Sequence, residues 1–161
     1  MPKNMQEELF DVSGKVIIIT GGAGALGGAM AEFLLDRGAK VAILSRSQGS
    51  VDQKMEQLRQ ISDDAMGLVA DVTNQEKLEE AREQIMQRWG RIDVLINAAG
   101  GNMPGATIAP GQNVFDVSAD ALRQVLDLNL MGSVLPTLVF GKVMAEQKSC
   151  SIINISSMAA T

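Results

Sequence analysis

One stretch, residues 15–28, KVIIITGGAGALGG, limits what this chain can become. A β-branched apolar run, Val16, Ile17, Ile18 and Ile19, ends in Thr20 and passes into Gly21, Gly22, Gly24, Gly27 and Gly28. Leu26, Met30, Phe33, Leu34 and Arg37 then form an amphipathic run whose apolar members recur at helical spacing. The stretch reads as strand, glycine-rich turn, helix. Gly22-x-Gly24-x-x-Gly27 fits the G-x-G-x-x-G frame, and the flanking strand and helix supply the context that frame requires. Without side chains there, the backbone can turn sharply and approach a pyrophosphate, whose charge meets the N–H groups at the helix start. A dinucleotide-binding turn is the expectation.

The rest of the chain fits that beginning. Its 161 residues are the size of one domain, and 46% hydrophobic content with only 3% aromatics calls for a core of Ile, Val, Leu, Ala and Met. Sixteen glycines and that aliphatic bias suit buried parallel strands under close helices. The net charge of −5, with no Lys/Arg cluster, argues against nucleic acid as a partner. With no His and the single Cys150, neither a metal-ligand cluster nor an intrachain disulfide is expected. The N-terminal MPKNMQEELF lacks the apolar centre of a signal peptide. No uninterrupted apolar run approaches the roughly 18 residues of a membrane span. The expectation is a soluble cytoplasmic protein with no membrane partner.

Taken in order, residues 1–14 are a polar lead-in in which Leu9, Phe10 and Val12 lay an apolar strip along the sheet edge or the bottom of the first strand. The first helix runs to about Arg37 and stops at Gly38. Lys40 to Leu44 is a second strand, ending at Ser45-Arg46. Val51, Met55 and Leu58 stripe a second helix. Ala65 to Ala70 is a third strand, ending at Asp71, and Thr73 or Asn74 caps the next helix. That helix carries Leu78, Ala81, Ile85 and Trp89, with Trp89 as packing rather than function, and stops at Gly90. Asp93 to Asn97 is a fourth strand. No period holds over residues 102–117, where Pro104, Gly105, Pro110 and Gly111 punctuate the chain. So long a loop is expected to be mobile without ligand and to wall a substrate pocket. Ser118 caps a long helix with Leu122, Val125, Leu126 and Leu130 on its face, kinked at Gly132 and Pro136. Ser151 to Ile155 is a fifth strand. Met30, Met55, Met66, Met86, Met131 and Met144 read as core filler. This succession predicts an α/β fold, a doubly wound parallel sheet of order 3-2-1-4-5 in a three-layer αβα arrangement, within a single domain over residues 1–161.

Ligands of such sheets lie beyond the carboxyl ends of the strands. Those ends are Thr20-Gly21, Ser45-Arg46, Asp71, Asn97-Ala98-Ala99-Gly100 and Ser156-Ser157. An acid at the end of the second strand would chelate the ribose hydroxyls of NAD and repel an added 2′-phosphate. Ser45 is neutral and small, and Arg46 can meet a phosphate dianion. NADP(H) is therefore preferred, with NAD(H) also admitted; a merely solvated Arg46 is the plainer reading. Asp71 either accepts from an adenine amino group or caps the next helix.

The motifs Thr20-Gly21-Gly22-Ala23-Gly24-Ala25-Leu26-Gly27, Asp71-Val72, Asn97-Ala98-Ala99-Gly100, Asn129 and Ile152-Ile153-Asn154-Ile155-Ser156-Ser157, in that order, resemble the classical short-chain dehydrogenase/reductase family over essentially the whole chain. The resemblance implies a Rossmann-like NAD(P)-binding domain, with the segment from Thr20 to Gly27, Ala25 and Leu26 included, on the cofactor diphosphate. It implies Asp71-Val72 at the adenine and Asn97 to Gly100 supporting the central strand. Asn129 and Ser157 carry over as catalytic residues: Ser157 polarises the substrate oxygen and Asn129 holds a water in a proton relay. Without the resemblance, Ser157 reads as a cap of the following segment and Asn129 as a polar residue bonded to backbone near Gly132. The implied substrate is a small keto or hydroxy compound and the implied full-length state a homo-oligomer, dimer or tetramer. Wording around residues 100–104 and 152–160 is most similar to D-mannonate (fructuronate) oxidoreductases and gluconate dehydrogenase relatives.

Two departures stand out. Ala25 replaces the family's usual glycine. More seriously, the sequence has no tyrosine, whereas the family's general acid/base is a Tyr with a Lys on the helix after strand five. The expectation is an NAD(P)-dependent alcohol/ketone oxidoreductase of a sugar acid or polyol, cut short after strand five and inactive as it stands. The alternative is a non-catalytic dinucleotide-binding module. A Rossmann protein of the S-adenosylmethionine type is disfavoured, because Asn97 to Gly100 and Ile155 to Ser157 have no role there.

Overall fold

Val16–Thr20 forms β1, and all five of its residues are buried. A strand of β-branched residues buried on both faces must sit inside a sheet with helices above and below. The computed structural model, which describes residues 10–147 and 149–157, puts it there. Five parallel strands run in the order β3-β2-β1-β4-β5: β2 Lys40–Ser45, β3 Ala65–Val69, β4 Val94–Asn97 and β5 Ser151–Asn154. β1 pairs with β2 on one side and β4 on the other, so the order reverses direction beside Thr20. That is the switch point where ligands bind in open sheets.

Alternation along β1 divides the core. Val16 and Ile18 face a cluster with Leu44, Leu78, Ile85, Leu95 and Phe140, while Ile17 and Ile19 face one with Leu35, Ile43, Val51, Met55 and Leu58. The first cluster is covered by α3 (Gln75–Trp89) and α5 (Gly132–Glu146), the second by α1 (Ala25–Asp36) and α2 (Gln48–Arg59). Each fully buried Ile or Leu contributes about 1.5–3 kcal/mol relative to exposure. At the sheet bottom Asp93 clasps β1 to β4. Its Oδ2 accepts from Val16 N at 2.9 Å, its own N–H donates to Val16 O at 2.8 Å, and Arg91 pairs with its carboxylate.

The helix ends follow the sequence signals. Ser47, Asn74 and Ser118 accept at the N-termini of α2, α3 and α4 (Ala119–Leu126). Asn74, not Thr73 or Asp71, is therefore the cap of α3. Gly38 and Gly90 take positive φ where α1 and α3 end. Trp89 packs partly buried against the first cluster.

Several expectations are corrected. The buried face of α1 is Gly27, Gly28, Ala31 and Leu35, whereas Leu26 and Phe33 are exposed. Small residues let the helix lie close to the sheet and displace the larger side chains to its flanks. Phe33 instead lies beneath the Arg37 guanidinium. Leu122, Leu126 and Leu130 form an apolar stripe, but it is exposed, as is Met131. Val12 packs on the second cluster and Phe10 is exposed; Leu9 lies outside the described residues. The interruption of the long helix is a π turn, Asp127–Met131, just before Gly132, and Pro136 sits inside α5. Gly132 matters for space: a Cβ there would lie 2.8 Å from Val72.

The helical run Ala119–Glu146 is long and apolar enough, by length and composition, to cross a membrane. Counting uninterrupted apolar residues misses it because Asn129, Ser133 and Thr137 break the run without lowering its mean hydropathy far. One side of that run packs on the sheet through Val139, Phe140 and Met144.

Candidate functional site

The glycine turn is shaped by what cannot fit beside it. Gly21 has φ +66°, and a Cβ there would come within 2.9 Å of Ala99 Cα. A Cβ on Gly22 would strike Ile43 at 2.6 Å, and one on Gly27 would strike Gly21 O at 2.5 Å. These three close the turn onto β2, β4 and itself. Gly24 differs: its Cβ would meet only Gly21 O, at 3.2 Å, and the residue is exposed. Gly24 is also the N-cap of α1, and no side chain caps that end. Gly24, Ala25 and Leu26 thus offer an open backbone surface at a helix N-terminus, which fits a diphosphate. Ala25 occupies the first helical position with its side chain exposed.

Thr20 ties the turn to the end of β4. Its Oγ1 accepts from the N–H groups of Ala98 and Ala99, each at 3.1 Å. Asn97 lies buried beneath them. Its Nδ2 donates to Asn154 Oδ1 at 2.8 Å and to Thr137 Oγ1 at 3.2 Å, joining β4 to β5 and α5.

At the other side of the switch point, Ser45 is half-buried and Arg46 exposed. Asp71 Oδ1 accepts from both the N–H and the hydroxyl of Thr73. Burial pushes the Asp71 carboxyl up, but the Thr73 hydrogen bonds and the nearby Arg46 charge outweigh it and hold it below the ordinary value. Asp71 is therefore a carboxylate at neutral pH, an acceptor suited to an amino group. Val72 is buried and touches the position of Gly132.

Asn129 stands in the π turn. It donates from Nδ2 to Gly101 O at 2.7 Å and to Val125 O at 2.9 Å, and accepts at Oδ1 from Gly101 N at 3.0 Å. A π turn shifts backbone bonding to the fifth residue and leaves a carbonyl over. The Asn129 amide fills that need at Val125 and grips the segment after β4. Gly100 permits the grip, since a Cβ there would sit 2.7 Å from Asn129 Oδ1. Ser157 follows β5, whose pairing continues through Ile155 N to Asn97 O at 2.9 Å. Asn129 and Ser157 are thus both held at the carboxyl ends of the neighbouring strands β4 and β5, on the side of the glycine turn.

Residues 102–117 form two short 3₁₀ turns, Pro104–Ala106 and Val114–Asp116. Ser118 N–H donates to Gly105 O at 2.9 Å and anchors the loop to α4. Sequence reasoning overlooked Ser133 and Thr137. The polar Asn154 within an otherwise apolar strand was the available signal for the amide pair beneath the site.

Residues 15–161 match the family model of the short chain dehydrogenases. This chain belongs to the short-chain dehydrogenase family. The chain is 37% identical over 158 residues to the uncharacterized oxidoreductase UxuB of Bacillus subtilis, covering 93% of this chain and 57% of that relative. It is 30% identical to the D-threitol dehydrogenase of Mycolicibacterium smegmatis, over 94% of this chain and 56% of the other. Among solved structures it resembles a candidate D-mannonate oxidoreductase from Haemophilus influenza with bound NAD, at 34% identity and a TM-score of 0.85, over 93% of this chain and 57% of that one. The chain therefore spans little more than half the length of the relatives it matches. The family binds NAD(P), and the glycine turn of this chain has the room and the open helix end that a diphosphate needs.

Proposed function

We propose that the chain carries the dinucleotide-binding part of an NAD(P)-dependent oxidoreductase that interconverts an alcohol and a ketone on a sugar acid or polyol. One observation carries the reading: the open backbone at Gly24, Ala25 and Leu26 stands at the switch point, beside strand ends that hold Asp71, Asn129 and Ser157. The D-threitol dehydrogenase and the candidate D-mannonate oxidoreductase among the relatives support the substrate class. Ser45 and Arg46 support a preference for NADP(H) over NAD(H), since the 2′-phosphate meets a cation and no acid.

A nicotinamide held by this turn would supply or take the hydride. The residues of this chain do the rest that is within their chemistry. The turn seats the diphosphate, Asp71 accepts from the adenine amino group, and Asn97 with Thr20 fixes the end of β4. Ser157 donates a hydrogen bond to the substrate oxygen. A serine hydroxyl is too weak an acid to exchange the substrate proton at neutral pH without a base, and the chain has no tyrosine and no histidine. General acid–base catalysis is worth roughly 10²–10⁴-fold, so these residues alone bind cofactor and turn over nothing at a useful rate.

The test follows NADPH absorbance with fructuronate and 5-ketogluconate, for the chain alone and for a form extended through the family's Tyr and Lys. The extended form should reduce a keto-sugar acid, and Ser157→Ala within it should cost about 2–4 kcal/mol of transition-state stabilisation, by analogy with loss of one oxyanion donor. No reduction of either keto acid by the extended form would refute the substrate class, and robust turnover by the 161 residues alone would show that a group of this chain handles the proton.

A further inference from the structure

Beside the glycine turn lies a polar cavity of about 210 Å³, lined by Ala23 of the turn and by Ser50, Gln53, Lys54 and Gln57 of α2. Lys54 is the one cation among the described residues of that lining, and its side chain is only 16% exposed. It lies against α1 where Gly28 stands: a Cβ on Gly28 would come within 2.8 Å of Lys54 Nζ and 2.7 Å of its Cε. Glycine is among the poorest helix residues, and this one leaves room for the lysine to lie along the helix. Glu32, one turn further along α1, holds Nζ at 2.9 Å. The Glu32 side chain is 42% exposed, and ion pairs open to water are weak, so exchange for a stronger anion is cheap.

The cavity is placed where such an anion would arrive. The dinucleotide fingerprint puts the adenosine ribose at the end of β2. That end is hydrogen-bonded to the turn directly, Gly22 N–H donating to Leu44 O at 3.2 Å. Arg46 immediately precedes Ser47, the cap of α2, so it shares one connection with the cavity wall.

We infer that this cavity is a second anion subsite, which receives a 2′-phosphate on the adenosine ribose, with Lys54 as a specificity-determining cation stored on Glu32 until the phosphate takes its place. The inference rests on the dinucleotide reading of the glycine turn. It adds to Arg46 a cation on α2 that no glycine or strand-end motif marks.

Calorimetric titration of the chain with 5′-AMP, 2′,5′-ADP and 3′,5′-ADP tests it, with circular dichroism confirming that each variant is folded. The 2′-phosphate should tighten binding and the 3′-phosphate should not. Lys54→Met should weaken 2′,5′-ADP about tenfold, the scale of one lost charge-assisted hydrogen bond, and leave 5′-AMP unchanged. Glu32→Gln should tighten 2′,5′-ADP alone, because the competing carboxylate is gone. Equal effects on 5′-AMP and 2′,5′-ADP, or no effect of either variant, would overturn the subsite. Failure of the folded parent chain to bind any of the three would instead overturn the dinucleotide reading on which it rests.

Discussion

Asn129 and Gly101 bind each other twice: the Asn129 amide donates to Gly101 O at 2.7 Å, and Gly101 N–H donates back to Asn129 Oδ1 at 3.0 Å. With the further bond to Val125 O, both Nδ2 hydrogens are committed to backbone. The side chain thus sets the position of the segment leaving β4, and through it one wall of the cleft. The Asn129 carbonyl, meanwhile, accepts from the Ser133 hydroxyl at 3.2 Å.

Asn129→Asp isolates that role. It keeps the shape and an acceptor for Gly101 N–H but removes both donors, so two carbonyls face a carboxylate. Urea unfolding should show a loss of about 0.5–1.5 kcal/mol for each donor removed, the net worth of a hydrogen bond whose freed partner can turn to water. Parental stability in the Asp variant would mean that the clasp does not hold the loop.

Acid should loosen the other end of the sheet. Burial raises the Asp93 carboxyl, but the hydrogen bonds from Arg91 and Val16 N–H, with the charges of Arg91 and Lys15, outweigh it and hold it below 3.8. A carboxylate depressed in the folded state stabilises fully above its ordinary value and loses that contribution as pH falls through the folded value. Asp93→Asn should therefore be clearly less stable than the parent near neutral pH, and the gap should narrow as pH falls below the ordinary carboxylate range and the parent's carboxylate protonates. A gap that is constant with pH would contradict the assignment.

Much of this fold is legible in the sequence because its signals are local. The order of strands and helices, the stops at Gly38 and Gly90 and the caps at Asn74 and Ser118 each depend on a few neighbouring residues, whereas residues 47–50, which read as a polar turn, instead begin α2 with Ser47 as its cap. The misread features depend on distance. Leu26 and Phe33 look like the buried face of α1 by hydrophobicity, yet Gly27, Gly28, Ala31 and Leu35 make the contact because small size lets the helix approach. The stripe at Leu122, Leu126 and Leu130 is readable as periodicity, but nothing in a helical period says whether a partner covers it. At the site, the sequence names Asn129 and Thr20 without their partners. Asn129 meets Gly101 across 28 positions and only because a π turn aims it; Thr20 meets Ala98 and Ala99 because β1 and β4 are neighbours. Lys54 looks like any solvated lysine until Gly28 is seen beneath it.

On the proposed preference for NADP(H), the exposed Arg46 at the end of β2 is the cation that meets the 2′-phosphate. Arg46→Ala should weaken NADPH and leave NADH nearly unchanged, read by titration of both. The margin should be modest, because Arg46 is exposed and water screens its charge. Tighter NADH than NADPH in the parent, with no response to the substitution, would remove Arg46 from the account.

Gly27→Ala and Gly24→Ala separate closure of the turn from access to it. A methyl at Gly27 runs into Gly21 O at 2.5 Å and should lower stability by about 1–3 kcal/mol, as overpacking does. At Gly24 the nearest atom is 3.2 Å away, so a methyl there should be far better tolerated. Equal thermal shifts for the two would show that the turn does not close as described.

The central claim is that the exposed backbone at Gly24 is where a dinucleotide diphosphate sits. The most direct measurement is titration of NADPH into the parent chain and into Gly24→Val, with unfolding curves recorded for both. Saturable binding by the parent, abolished in a valine variant that stays folded, is the result expected, because the isopropyl group would fill the space of the phosphates and little else. A folded Gly24→Val chain that binds NADPH as the parent does would place the phosphates elsewhere and contradict the account.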